Sequence, residues 1–231
     1  MHSAPFTLDS SGQSKASRLD ALEAVLFDLD GTLIDSLGMI LSSMRFATQT
    51  VLGEALSDEQ LMHNVGIPLI AQMREFDVDR AQELLVAYRE HNEIVHDELV
   101  REFPGVDTAL QTLGSRYRLG VVTSKSGPVA QRGLDVLGLG SYFEVLVAFE
   151  DTSAHKPGPE PLIEAARLLD VPLALCAYVG DSPHDMCAAI AAGAVSIGAL
   201  WGVAGERVLE PGPDYAVASM GELAKLLAPS D

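Results

Sequence analysis

From residue 24 onward, short unbroken apolar runs alternate with segments whose apolar residues recur every three or four positions. The runs are AVLF (24–27), LGVVT (119–123), VLVAF (145–149), ALCAYV (174–179) and AVSIGAL (194–200). They are continuous rather than alternating with polar residues, the pattern of strands covered on both faces. Between them, VDTALQTLGS (106–115), GPVAQRGLDVLG (127–138), PEPLIEAARLLD (159–170) and HDMCAAIAAG (184–193) carry helical spacing. A last strand at Tyr215-Ala216-Val217 and a helix at Gly221–Leu227 complete the series. Such alternation predicts right-handed βαβ units, and with them the α/β class: a Rossmann-like parallel sheet core with helices on both faces.

One stretch breaks the alternation. Residues 36–102 contain no convincing strand. Leu37, Ile40, Leu41, Met44 and Val51 fall at helical spacing, and Ser57 with Gln60 three residues on forms a capping box. Val78, Ala81, Leu85, Tyr88, Val95 and Leu99 mark a long helix. The expected division is a flexible N-terminal tail (1–20), a core made of 21–35 and 103–231, and an inserted all-helical cap subdomain (36–102). The chain returns to the core through Phe103-Pro104-Gly105.

Composition narrows the function. The chain has 231 residues, 48% hydrophobic and 21% charged, ordinary for a soluble globular protein. Its net charge of −18, from 33 acids against 15 bases, disfavours nucleic acid and anionic membrane surfaces as partners. A small anionic substrate then requires a local basic spot. Cys176 and Cys187 sit in apolar segments and read as buried reduced thiols. No apolar run approaches the roughly 18 residues of a membrane helix, and MHSAPFTLDSSGQSKASRLD lacks an apolar signal core. The expectation is a cytoplasmic monomer or homodimer.

The chemistry lies where strands end. VLFDLDGTLIDS (25–36) closes an apolar run with Asp28 and Asp30, two carboxylates one residue apart. Asp30-Gly31 is a good turn dipeptide, so the stretch is either a surface turn or a site. Close carboxylates repel, and either one takes a proton or a cation sits between them. The other strand ends bear on the choice: Thr123-Ser124-Lys125, then His155-Lys156-Pro157 after a short loop, then Gly180-Asp181-Ser182-Pro183-His184-Asp185. Ligands of open parallel sheets bind at this edge. Clustered carboxylates suit a hard cation such as Mg²⁺, while a hydroxyl and a lysine hold phosphoryl oxygens. A carboxylate attacks phosphorus once the target's charge is neutralised, and a second carboxylate moves the protons. The set points to phosphoryl transfer through an aspartyl-phosphate.

FDLDGTLIDS, VVTSK, HKPGPEP and VGDSPHDMCAAIAAG, in this order and spacing, resemble the haloacid dehalogenase-like (HAD) superfamily of phosphohydrolases over about residues 22–225. The closest resemblance is to the phosphoglycolate phosphatase branch and the HAD-type inorganic pyrophosphatase near it. The resemblance implies Asp28 as nucleophile and Asp30 as general acid/base. It implies phosphate held by Thr123, the backbone at Ser124 and Lys156, with Lys156 also stabilising charge on the nucleophile. Mg²⁺ would be bound by Asp28, the Asp30 carbonyl and Asp181, with Asp185 supporting the metal shell or Lys156. It implies a mobile cap whose break at Gly66-Ile67-Pro68 faces the substrate and bears on specificity.

VGIPL and VVTSK resemble the phosphoglycolate phosphatases, and YREHNEIVHDELV the pyrophosphatase. A small phosphorylated metabolite, 2-phosphoglycolate first, is the expected substrate, with inorganic pyrophosphate as the alternative. Some residues keep two readings. Asp185 also suits a helix N-terminus, Lys125 is either a ligand or a salt-bridged lysine, and His91 and His96 either pack or face a phosphate. A β-phosphoglucomutase-like phosphomutase shares the core residues. It carries a basic residue after the cap-loop glycine, where this chain has Ile67-Pro68-Leu69. Dehalogenases lack an acid at the place of Asp30, and receiver domains lack both that acid and the insert. A non-catalytic binding protein on the same scaffold is the remaining alternative.

Overall fold

The unbroken apolar runs become strands walled in from both sides. All four residues of β1 (Ala24–Phe27) are buried in the computed structural model, which describes residues 15–63 and 67–228. Ahead of β1 lies α1 (Lys15–Asp20), and after it come β2 (Ile34–Asp35), α2 (Leu37–Leu52), α3 (Asp58–Met62), α4 (Leu69–Phe76), α5 (Ala81–Leu99) and β3 (Arg101–Glu102). The chain continues through α6 (Val106–Gly114), β4 (Arg118–Val122), α7 (Gly127–Val136), β5 (Val145–Val147), α8 (Glu160–Leu169), β6 (Cys176–Gly180) and α9 (Pro183–Ala192). It ends with β7 (Val195–Ala199), β8 (Tyr215–Val217) and α10 (Met220–Leu227).

Six strands form one parallel sheet in the order β5-β4-β1-β6-β7-β8, with β1 between β4 and β6. Alternate residues of a strand face opposite sides, and β1 shows the consequence. Val25 and Phe27 join a core with Leu110, Leu113, Leu134 and Leu223 from α6, α7 and α10. Ala24 and Leu26 join a second core with Leu162, Ala165, Leu169 and Ala188 from α8 and α9. The molecule is thus a Rossmann-like α/β sandwich, and the ends of β1, β4 and β6 open on one edge.

The helices α2 to α5 have a core of their own, built from Met39, Met44, Leu61, Met73, Leu84, Leu85 and Tyr88. The two crossings between this helical unit and the sheet lie side by side. β2 pairs antiparallel with β3, Ile34 opposite Glu102 and Asp35 opposite Arg101, and the Phe103 N–H donates to the Leu33 carbonyl (3.2 Å). The sequence pattern placed no strand in 36–102, because a two-residue strand is too short to show a period.

Other details differ from the pattern. Val78 lies in a turn before α5 and is 75% exposed, and Leu99 is also exposed. The buried face of α5 instead continues through Asn92 and His96, which a search for apolar residues passes over. The capping box at Ser57 and Gln60 is formed, with N···O distances of 2.9 and 3.3 Å. The stretch expected as tail up to residue 20 carries α1, where Arg18 donates to the Gly193 carbonyl (3.2 Å). Cys176 is buried, Cys187 is half-buried, and both are free thiols. Among the described residues, no helix is long and apolar enough to cross a membrane.

Leu84 is fully buried in the core of the helical unit. Leu84→Ala is expected to lower unfolding stability by about 2–5 kcal/mol, through lost burial and the cavity left behind. Urea denaturation monitored by circular dichroism measures it.

Candidate active site

The first strand carries its ladder one residue beyond its end: the Asp28 N–H donates to the Val179 carbonyl (2.9 Å). The chain then folds sharply. The Leu29 carbonyl accepts from Leu33 (3.0 Å) and Ile34 (2.9 Å), and the Gly31 N–H donates to the Ile34 carbonyl (2.9 Å). Gly31 has φ +83°, a conformation natural to glycine. A Cβ there would lie 2.4 Å from Asp181 Oδ2, so the turn also lets the two acidic loops meet. The Asp-Gly turn is real, and it is what holds the acids in place. Turn and site are the same structure.

Lys156 reaches into this edge from the segment before α8. Its Nζ lies 3.0 Å from Asp28 Oδ1, 2.7 Å from Asp185 Oδ1 and 3.1 Å from the Tyr178 hydroxyl. The hydroxyl in turn points at Asp185 Oδ1 (3.0 Å) and the Val122 carbonyl (3.1 Å). Asp185 fills both roles open to it. Its Oδ2 accepts from the Ser182 hydroxyl (2.6 Å) and N–H (3.0 Å), closing the capping box of α9, while its Oδ1 holds Lys156. Asp181 Oδ2 accepts the Val203 N–H at 2.8 Å. Carboxylate oxygens of Asp28, Asp181 and Asp185 lie within 4.8 Å of one another.

The Asp30 carboxylate stands outside this trio, paired with Lys125 at 2.8 Å. Lys125 is therefore salt-bridged and also lines the cavity over the strand ends. Thr123 is buried, and its Oγ1 accepts the Lys125 N–H (3.2 Å). Asp28, Asp30, Thr123, Ser124, Lys156 and Asp181 all line the cavity, so the structure brings the sequence-predicted set together, with Asp185 behind Lys156. The helical unit supplies the facing wall, including Ile40, Met44, Leu69, Ile70 and Tyr88.

Of the cap-loop candidates, Ile67 lines the cavity, and its carbonyl accepts from Gln72 (2.8 Å). Pro68 is the N-cap residue of α4, and Gly66 lies outside the described residues. His91 contacts the Ser43 hydroxyl (3.2 Å) and stacks on Phe46, and His96 is buried against Asp97 (2.8 Å); neither lines the cavity. The cavity side of α5 presents Tyr88, Arg89 and Asn92 instead. Arg89, Asn92, Arg207 and the buried Tyr178 were missed in the sequence. Only Tyr178 left a signal, since a tyrosine inside a buried strand needs a partner for its hydroxyl.

The profile of the haloacid dehalogenase-like hydrolases matches residues 25–199. A pyrophosphatase PpaX of Halalkalibacterium halodurans is 34% identical over 208 residues, covering 89% of this chain and 97% of its own length. Two solved structures share the fold. A haloacid dehalogenase-like hydrolase of Streptococcus pneumoniae superposes with a TM-score of 0.80 at 24% identity, covering 88% of this chain and 97% of its own. A predicted phosphoglycolate phosphatase of Haemophilus somnus gives 0.80 at 23%, covering 89% and 98%. The chain belongs to the haloacid dehalogenase-like hydrolase family.

The charge balance of this hydrolase site is uneven. Burial pushes Asp28 well above the usual carboxylate range, against the pull of the Lys156 ammonium. Burial and neighbouring Asp185 push Asp181 up to about 7. Burial would raise Asp185 too, but Lys156 and the Ser182 hydrogen bonds outweigh it and hold Asp185 low. Burial likewise works against the Lys156 charge, and Asp185 and Asp28 overcome it, holding Lys156 above the usual lysine value. One ammonium thus faces three buried carboxylates. Asp28 and Asp181 resist ionising without a second cation, and their oxygen donors fit a hard divalent ion.

A carboxyl raised from about 3.9 to about 7 favours the folded state below the lower value and loses that benefit as pH rises through the higher one. In metal-free protein the contribution of Asp181 to stability is expected to fall from about pH 4 to about pH 7, and Asp181→Asn to remove that fall. Urea midpoints against pH, in chelator, measure it. A slope unchanged in the variant would assign the loss to other groups.

Proposed function

We propose that the chain is a Mg²⁺-dependent phosphohydrolase acting through an aspartyl-phosphate on Asp28, with inorganic pyrophosphate as its first-choice substrate. The observation that carries this is Lys156, fully buried and shared between Asp28 and Asp185, while Asp30 stands apart on Lys125. That arrangement separates an attacking carboxylate from a proton-handling one. Mg²⁺, held by Asp28, the Asp30 carbonyl and Asp181, would neutralise phosphoryl oxygens and keep Asp28 ionised among like charges.

Lys156, the Thr123 hydroxyl and the Ser124 backbone hold the phosphoryl group over Asp28. The Asp28 carboxylate oxygen attacks phosphorus, and the bond from phosphorus to the leaving oxygen breaks. Lys125 exchanges Asp30 for a phosphoryl oxygen, and Asp30, free to carry a proton, delivers it to the leaving oxygen. Asp30 then takes a proton from water, which attacks the aspartyl-phosphate and releases phosphate from Asp28. The unit 36–102 acts as a cap on the core of 21–35 and 103–231, hinged at the β2–β3 pair and excluding bulk water when closed.

Pyrophosphate is supported by the relative named PpaX, which matches at 34% over nearly its whole length. This reverses the order expected from VGIPL and VVTSK. A second reading, an organic phosphate such as 2-phosphoglycolate, is favoured by the apolar wall of Ile40, Met44, Ile67, Leu69 and Ile70, which contributes nothing to an inorganic leaving group.

Exhaustive chelation is expected to abolish turnover and Mg²⁺ to restore it. Asp28→Asn should lower kcat by at least about a thousandfold with an unchanged circular dichroism spectrum. Near-wild-type rates would remove Asp28 as nucleophile. Asp30→Asn should impair protonation of poor leaving groups and hydrolysis of the phosphoenzyme. With an activated aryl phosphate, phosphoenzyme should accumulate and be seen by mass spectrometry of quenched protein. Equal defects for activated and unactivated substrates would argue against the proton-transfer role.

A further inference from the structure

We infer that Arg89 and Arg207 form a second anion subsite, which takes a negative group carried by the substrate's leaving portion. The inference rests on the phosphohydrolase reading above. It adds a requirement that the reading leaves open: two anionic groups on one small molecule.

In this acidic chain six of the eleven guanidinium groups make ion pairs among the described residues, Arg18 with Asp214 among them, and Arg74, Arg89, Arg101, Arg116 and Arg207 make none. Arg45 pairs with Asp58, Arg80 with Glu83, Arg118 with Glu144, Arg132 with Glu93 and Asp97, and Arg167 with Glu164. Arg89 and Arg207 line the cavity with the nucleophile, yet neither makes an ion pair or side-chain hydrogen bond among the described residues. The cavity wall carries three carboxylates, Asp28, Asp30 and Asp181, against four cations, Arg89, Lys125, Lys156 and Arg207. Lys125 answers Asp30 and Lys156 answers Asp28. Asp181 stays beside Asp28 as an oxygen donor, and the two arginines make no ion pair with any of the three among the described residues, in a protein whose net charge is −18.

The phosphoryl group under attack belongs at the strand ends, on Lys156 and Thr123. The unanswered charge is therefore available to another group, and a guanidinium fork suits a carboxylate or a second phosphate. The two sources also differ in origin. Arg89 stands on α5 of the helical unit, and Arg207 on the short turn Gly205–Leu209 of the core. An anion held by both ties the two units together over the reacting phosphorus. Pyrophosphate and 2-phosphoglycolate both meet the requirement, and simple monoesters do not.

Arg89→Ala, Arg207→Ala and Arg89→Lys would be compared with wild type on pyrophosphate, 2-phosphoglycolate and 4-nitrophenyl phosphate. Loss of one charge-assisted hydrogen-bond partner is expected to raise KM for a two-anion substrate by about 10- to 100-fold, with a far smaller change for the aryl phosphate. Arg89→Lys should recover part of the loss. Which of the two metabolites suffers identifies the second anion as phosphate or carboxylate.

KM changes of equal factor on all three substrates would overturn the subsite. Binding gives an answer that does not depend on turnover. Methylenediphosphonate and methylphosphonate would be titrated calorimetrically into wild type and Arg89→Ala. Wild type should prefer the diphosphonate, and the variant should lose that preference. Wild type without the preference would overturn the subsite even if the protein hydrolyses phosphate esters. A preference that Arg89→Ala abolishes, in a protein without hydrolytic activity, would support the subsite and reject the reaction.

Discussion

Everything at the strand ends depends on the burial of one ammonium among carboxylates. Lys156 touches Asp28, Asp185 and the Tyr178 hydroxyl, and all four side chains are buried. Removing one partner from such a cluster leaves an uncompensated buried charge, which costs more than the pair contributes. The cluster is therefore poor at stabilising the protein and good at fixing positions. Asp185 shows how this is done: one of its oxygens caps α9 and the other holds Lys156, so the helix start and the neighbour of Asp28 are set by the same carboxylate. With three acids against one base, the oxygen donors of the cluster fit a hard cation.

The loop after β1 joins this chemistry to the helical unit. Asp28 ends the ladder, Gly31 closes the turn on Ile34, and Ile34 already belongs to β2, the first strand of the crossing. The Trp201 indole N–H fixes the turn by donating to the Thr32 carbonyl (3.0 Å). A few residues thus separate Asp28 from the point where the helical unit begins. A rotation of that unit about the β2–β3 pair would act on a segment whose other end carries Asp28 and Asp30. The helices α2 to α5 hold together on a core of their own.

The distribution of charge follows the same logic. An acidic surface repels anions in general, so a small anionic substrate needs positive charge concentrated where it binds. The cavity is such a place, with Lys156 and Lys125 at the strand ends and Arg89 and Arg207 as its cations without an ion pair among the described residues. The apolar residues of α2 and α4 narrow the rest of the space, which favours a compact ligand.

The sequence by itself determined the order of strands and helices and the strand-end acids, because continuous apolar runs can be satisfied only by burial on both faces and because Asp28, Asp30 and Asp181 fall directly after such runs. It also marked the turn at Gly31 and the cap at Ser57, which are local chemistry. It left the partners open. Whether Lys125 was a ligand or a salt bridge, and whether Asp185 served a helix or a lysine, depended on residues 95 and 29 positions away, and no local pattern encodes that distance. The face of α5 was misread for a related reason. Burial of Asn92 and His96 is decided by what packs against the helix, and polarity alone marks them as exposed. Arg89 and Arg207, 118 positions apart, carry no spacing signal at all. Only folding brings an arginine of the insert and one of the last third of the chain to a single cavity.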